Sequence, residues 1–251
     1  MSLNNLAAKT KQIIAATPWR ALGENICSQN TKTGWSINFN ITQTCHPTKM
    51  CSEYCYGAMS DRPITWKNSI TKYVRNYNLF RKTDPQLITN KIYKEYIARH
   101  MTFLRWNGVG DLFPESTDVM NRLVTQHPDA VVWCSTRNVG EVRKCSREAT
   151  NLYLMFSLDN TLQSRQRKAI MDAIDHPRVY YSFLRTEEND DCMGARIVFN
   201  LQQKKDILPF DDERTVCPVD SDRMPVKGAC KECRRCFNST TLEDIKHESQ
   251  M

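Results

Sequence analysis

Ser36-Ile37-Asn38-Phe39-Asn40-Ile41-Thr42 alternates polar and apolar residues, and Gln43-Thr44-Cys45-His46-Pro47-Thr48-Lys49-Met50-Cys51-Ser52-Glu53-Tyr54-Cys55 follows it directly. Period-two alternation is the mark of a strand. This strand therefore ends in a C-x5-C-x3-C loop rather than in the glycine-rich turn that a dinucleotide-binding fold requires after its first strand. Downstream, short β-branched or aromatic runs alternate with polar stretches of helical period, the pattern of parallel α/β structure. The runs predict strands over Ser36 to Thr42, Thr102 to Asn107, Ala130 to Ser135, Asn151 to Ser157, Arg178 to Leu184 and Ala195 to Asn200. Helices are expected over Trp66 to Arg81, Pro85 to His100, Ser116 to Gln126, Asn138 to Arg147 and Thr161 to Ile174, with Asp84 as a cap before Pro85. The last link, Thr186 to Gly194, is short and acidic.

Six such units wound in one direction give a partial (β/α)6 TIM-like barrel, which we favour over a doubly wound open sheet. In either topology ligands gather at the C-terminal ends of the strands. Regular periodicity stops near Leu208 to Asp212. The expected organisation is an N-terminal helical extension over 1–35, the barrel over 36–207, and a small C-terminal cysteine-rich metal-binding extension over 208–251. No internal repeat is visible.

The composition fits a globular chain: 251 residues with 40% hydrophobic and 25% charged side chains can bury a sizeable core. The longest wholly apolar runs, such as Tyr153 to Phe156, are far too short to span a bilayer, so no membrane partner is expected. Met1 to Asn30 lacks the apolar stretch and cleavage site of a secretory signal, which places the chain in a reducing, cytoplasmic compartment. A net charge of +7 suits a polyanion or an acidic redox partner without choosing between them.

A reducing compartment leaves the 11 cysteines to be explained, because disulfides do not persist there. In the loop, Cys45, Cys51 and Cys55 can hold three corners of a [4Fe-4S] cubane and leave one iron open to a small molecule. The competing reading is a zinc site that recruits His46, although His46 is badly placed to share a metal with its neighbour Cys45. Near the C-terminus, Cys217, Cys230, Cys233 and Cys236 form C-x12-C-x2-C-x2-C. Four ligands saturate a centre, so this site is expected to be structural or electron-carrying, with a second [4Fe-4S] cluster favoured over zinc. Lys231, Arg234 and Arg235 interleave with these ligands and would raise a cluster's potential, attract an acidic electron donor or meet nucleic-acid phosphate. Equally, they are a solvated surface. Cys134 reads as a small core residue and Cys192 as a candidate reactive thiol. The isolated His100, His127, His176 and His247 read as surface or capping groups.

Other strand ends carry polar groups. Trp106-Asn107-Gly108-Val109-Gly110-Asp111 sets two glycines and a carboxylate after the second expected strand, suited to an ammonium group. Ser135-Thr136-Arg137 and Ser157-Leu158-Asp159 end the third and fourth, and Arg185 and Asn200 the fifth and sixth. Hydroxyls, carboxylates and a guanidinium in that order suit a ribose and a carboxylate.

The three-cysteine loop, with Tyr54 before its last cysteine, resembles the cluster loop of radical S-adenosylmethionine (SAM) enzymes, whose usual spacing is the shorter C-x3-C-x2-C. Together with the N-G-x-G-D, C-S-T-R-N and S-L-D segments, it is similar to the radical-SAM-like proteins of bacteriophages called the gene product eighty-eight type, over roughly Ile37 to Cys236. That resemblance implies an iron-sulfur protein of viral origin in the host cytoplasm, cleaving SAM reductively at Cys45, Cys51 and Cys55 to start radical chemistry. By the same resemblance Tyr54 would flank the adenine, Gly108, Gly110 and Asp111 the methionyl amine, Arg137 the carboxylate, and Ser157 and Asp159 the sugar. The tail is similar to the auxiliary-cluster extensions of such enzymes. Two other readings stay open: a non-catalytic iron-sulfur protein with a degenerate barrel, for redox sensing or nucleic-acid binding, and a zinc-stabilised nucleic-acid binder.

Overall fold

Strand order follows chain order without a reversal, in a single mostly parallel sheet. A computed structural model describes residues 24–55, 63–187, 190–192, 194–200, 216–220 and 224–237. The helical extension expected over 1–35 lies outside them up to residue 23, and over its described remainder residues 28–36 form an antiparallel hairpin instead. One seven-stranded sheet runs β1 (Ser28–Asn30), β2 (Gly34–Ser36), β3 (Leu104–Trp106), β4 (Val132–Thr136), β5 (Leu152–Asp159), β6 (Val179–Arg185) and β7 (Ile197–Asn200). β1 and β2 form an antiparallel hairpin and every later pairing is parallel. The sheet is open, with β1 and β7 at its edges. Closure is thus not reached, and the doubly wound alternative fails because it needs a switch in strand order.

The helices are α1 (Ile41–Thr44), α2 (Lys49–Glu53), α3 (Pro63–Lys82), α4 (Pro85–Ala98), α5 (Pro114–Gln126), α6 (Val139–Val142), α7 (Ser164–Ile174) and α8 (Ala229–Cys233). Asp84 does cap α4: its side chain accepts from the Gln86 N–H at 2.8 Å, with Pro85 in the first turn. Expected helix 138–147 shrinks to one turn, because beyond Val142 the chain closes i→i+3 turns from Lys144 N–H to the Glu141 carbonyl and from Cys145 N–H to that of Val142. The expected strand 36–42 is displaced. Its pairing begins at Gly34, residues 37–40 stay extended against β3 through Ile37 N–H to Arg105 O and Phe39 N–H to Val109 O, and the Asn40 side chain then caps Thr42 N–H to start α1.

Alternation gives the sheet two unlike faces. One carries Leu104, Trp106, Val132, Cys134, Leu152, Leu154, Phe156, Leu158 and Phe183, which share a single core with Phe80 of α3, Ile88 and Ile92 of α4, Val119 and Leu123 of α5, and Ile174 of α7. Each such side chain contributes about 1.5–3 kcal/mol by leaving water. Cys134 is fully buried there, as a core residue should be. The opposite face presents Arg105, Trp133, Ser135, Tyr153, Met155, Ser157, Tyr180 and Ser182. Its upper end, where the parallel strands terminate, meets the three-cysteine loop; its lower end is covered by the C-terminal cysteines.

Candidate functional site

The upper site grows from two short helices. Cys45 is the C-cap of α1, Cys51 lies within α2, and Tyr54 ends α2 by donating its N–H to the Met50 carbonyl. Thr48 caps the start of α2, accepting from Cys51 N–H at 3.1 Å. Cys45 and Cys55 pack against an apolar wall of Ile41, Ile70, Val74 and Val109. Burial raises the Cys45 and Cys51 thiols, and the neighbouring Asp111 and the other loop cysteines push them the same way; Arg137 opposes this at Cys51.

Below the loop the strand ends form one connected network. Asp159 has no exposed surface; its carboxylate pairs with Arg137 Nη1 at 2.8 Å and accepts from Thr48 Oγ1 at 2.6 Å and from Thr161 N–H at 3.0 Å. Asp111 is likewise buried. Its Oδ1 accepts from Leu112 N–H at 2.7 Å and from the Thr136 hydroxyl, and its Oδ2 accepts from Arg137 N–H at 3.2 Å. Burial raises the Asp111 pKa, opposed by these bonds. Ser157 is the middle of a hydroxyl row, 2.9 Å from Ser135 Oγ and 3.2 Å from Ser182 Oγ. Gly108 donates its N–H to the Ile37 carbonyl and passes so close to Asn38 and Ser36 that a Cβ would strike them. Gly110 takes φ +91° with Phe39 and Thr44 against it.

The structure therefore brings Cys45, Cys51, Cys55, Asp111, Arg137, Ser157 and Asp159 to one edge of the sheet. Arg185 is buried on the same side and donates to the Glu187 carbonyl, and Asn200 is buried at the end of β7 with its Oδ1 unpartnered among the described residues. His46 is exposed. Among the described residues no three His, Cys, Asp or Glu side chains stand close enough to hold a metal ion as they are placed. A metal would have to draw the thiols together and displace their protons. In kind the donor set suits an iron-sulfur cluster: three half-buried thiols on one loop, with an apolar wall behind them.

The lower site also departs from expectation. Cys217 and Cys236 share an apolar patch with Met155, Ile197 and Ala229, while Cys230 and Cys236 border Phe103, Trp133 and Phe237. The cations acting on these thiols come from the sheet. Lys32 Nζ donates to Cys217 Sγ at 3.6 Å and to Asp220 Oδ1 at 3.3 Å, and Arg105 opposes the burial that lifts Cys230 to about 11. Burial works against the Lys32 ammonium, yet Asp220, Cys217 and Cys230 together raise its pKa. Arg234 and Arg235, by contrast, donate to the backbone carbonyls of Lys231 and Val216.

Thr48 and Lys32 escape a reading of motifs. A cap signal at Thr48, three residues before Cys51, was the one available clue; Lys32 owes its role to tertiary contacts, and Thr136, legible as a strand-end hydroxyl, turns out to bond Asp111. Cys192 is half-buried, donates to the Asp190 carbonyl at 3.4 Å, and burial pushes its pKa up to about 11, which favours an ordinary loop cysteine over a reactive thiol.

The family model of gene product 88 matches residues 3–239, which takes in both cysteine sites and the whole sheet. The chain belongs to the gene product 88 family. Neither a curated protein nor a solved structure matches it. No helix among the described residues is long and apolar enough to cross a membrane.

Proposed function

We propose that this gene product 88 protein is a phage-encoded radical-SAM-type enzyme, its open sheet a partial barrel with the active centre at the upper edge. The observation that carries this reading is the meeting of three cysteines with Asp111, Arg137, Ser157 and Asp159 at the ends of successive strands. Cys45, Cys51 and Cys55 would hold the cluster. Once bound, a [4Fe-4S] cluster with one open iron supplies an electron that splits SAM into methionine and a carbon radical able to take hydrogen from a substrate.

The chain's own residues would bind and orient SAM. Oδ2 of Asp111 accepts a single bond in this network, which leaves it acceptor capacity for the methionyl amine beside Gly108 and Gly110. Arg137 uses Nη1 on Asp159, and its fork has further donors for the methionyl carboxylate. Ser157 and Asp159 would hold the sugar, and Tyr54 would flank the adenine. The apolar wall of Ile41, Ile70, Val74 and Val109 keeps water from the loop thiols.

One observation favours the second reading, an iron-sulfur protein without SAM chemistry: Asp111 and Asp159 already have partners within the chain, Asp111 in Thr136 and the Arg137 N–H and Asp159 in the Arg137 guanidinium and Thr48. Calorimetry and product analysis on reduced, anaerobic protein separate the two. SAM should bind and yield methionine and 5′-deoxyadenosine even without substrate. Asp111→Asn should weaken SAM binding by about 1.5–3 kcal/mol, the size of a lost bond to a charged group, with no loss of iron. No SAM binding to fully loaded wild-type protein would overturn the enzyme and leave the degenerate iron-sulfur barrel.

A further inference from the structure

The C-terminal segment touches both edges of the open sheet. On one side Val216 forms a parallel bridge with Val198 of β7, and Cys217 N–H donates to the Val198 carbonyl at 2.9 Å. On the other, Gly228 N–H donates to Thr31 O at 2.9 Å and Cys230 N–H to Lys32 O at 3.2 Å, both in the turn between β1 and β2. Lys32 spans the two attachments, since its backbone receives Cys230 while its ammonium reaches Cys217 and Asp220. Phe237 closes the segment from below, stacking with Trp133 and packing at a tilt against Phe103.

Apolar burial alone holds this segment weakly: among its described residues between Val216 and Phe237, the buried apolar side chains are Val216, Cys217, Val219, Ala229 and Phe237. It nonetheless gathers its cysteines: Cys217 and Cys236 share one apolar patch and Cys230 and Cys236 another, with Lys32 Nζ 3.6 Å from Cys217 Sγ and the Arg105 guanidinium over the ring of Trp133 beside them. Four thiolates around a cubane core make a net negative centre, and these two cations offset it. The first two cysteines of the C-x2-C-x2-C run, Cys230 and Cys233, sit on the single turn α8, where i and i+3 side chains share a face.

We propose that Cys217, Cys230, Cys233 and Cys236 form a second metal site, a [4Fe-4S] cluster ligated entirely by protein, and that it is a clasp joining the β7 edge to the β1–β2 turn. Lys32 is its positioning residue, tying the two attachments together and setting the charge around the thiolates. This inference does not rest on SAM binding at the upper edge.

The test uses the full chain, purified anaerobically, with iron, acid-labile sulfide and zinc counted for wild type, Cys233→Ala and Cys51→Ala. Each variant should lose about four irons and as many sulfides. Only Cys233→Ala should speed amide exchange at both 28–36 and 197–200. Unchanged metal in Cys233→Ala, or loss of zinc in place of iron, would overturn the site; exchange that rises equally in both variants, or at only one edge, would overturn the clasp. Should Cys233→Ala fail to fold, Lys32→Met tests the clasp in its place: its iron should stay, one cluster's potential should fall, and exchange should rise at both edges, with Lys32→Arg restoring all three. An unmoved potential in Lys32→Met would refute the part assigned to Lys32.

Discussion

The two ends of the sheet's polar face are built by different means. At the upper edge, buried side chains hold one another: Asp159 joins Arg137 to Thr48, and Asp111 joins Thr136 to the backbone of Arg137. At the lower edge the attachments seen among the described residues run largely backbone to backbone, with a partly exposed ion pair between Lys32 and Asp220. The upper network of side chains is complete within the chain, whereas the lower strap rests on backbone bonds and few buried apolar residues among those described. On the proposed reading, this is what the two sites would need: a finished scaffold for an open-coordination centre, and a saturated centre that would itself serve as scaffold.

The sharpest way to break that contrast is to remove one carboxylate from each end. Asp159→Ala leaves the Arg137 guanidinium, itself largely buried, without its partner, and should cost about 3–5 kcal/mol in urea denaturation. Asp220→Ala removes a partner from an ammonium with a quarter of its side chain exposed, so solvent takes over and the expected cost is about 1 kcal/mol. Equal losses would mean that the lower edge is also held by side-chain electrostatics.

Glycines sharpen the same comparison at a smaller scale. Gly110 and Gly228 both take positive φ, +91° and +75°. A Cβ at Gly110 would lie 2.8 Å from the Phe39 carbonyl and 3.0 Å from Thr44 Oγ1, while at Gly228 it would meet nothing within 4 Å. Gly110→Ala should therefore lose about 3 kcal/mol, conformational strain plus a displaced backbone, and Gly228→Ala about 1 kcal/mol from strain alone. Thermal melts of both variants check this. A Gly228→Ala loss as large as that of Gly110→Ala would show the lower segment to be tightly packed after all.

Legibility in the sequence followed the same division. The later strands show apolar runs bounded by turns, so β3 to β7 lie within a few residues of where their periodicity puts them. β1 does not: Ser28-Gln29-Asn30 is wholly polar, and it forms because Gly34 at φ +74° turns the chain back on itself. Alternation from Ser36 to Thr42 looked like strand throughout, yet the Asn40 cap ends it at α1. Strand-end residues were readable as a set because parallel winding must gather them. Their mutual bonds were not, since whether Arg137 faces Asp159 or solvent depends on side-chain directions that no spacing encodes. Lys32 lies 185 residues from Cys217, beyond the reach of any local pattern.

The finest test concerns one hydroxyl. Thr48 Oγ1 accepts from Cys51 N–H and donates to Asp159, so it couples the cysteine loop to the strand ends. Thr48→Val keeps the shape and removes both bonds, at an expected cost of about 1–2 kcal/mol, whereas Thr48→Ser retains both and should stay within about 0.5 kcal/mol of wild type. If the coupling runs through Asp159, the losses cannot add: in an Asp159→Ala background Thr48→Val should cost only the cap, leaving an interaction energy of about 1 kcal/mol in the double-mutant cycle. Strict additivity would mean that the loop and the strand ends are neighbours without being joined, and the upper edge would then lose the connected network that sets it apart from the lower.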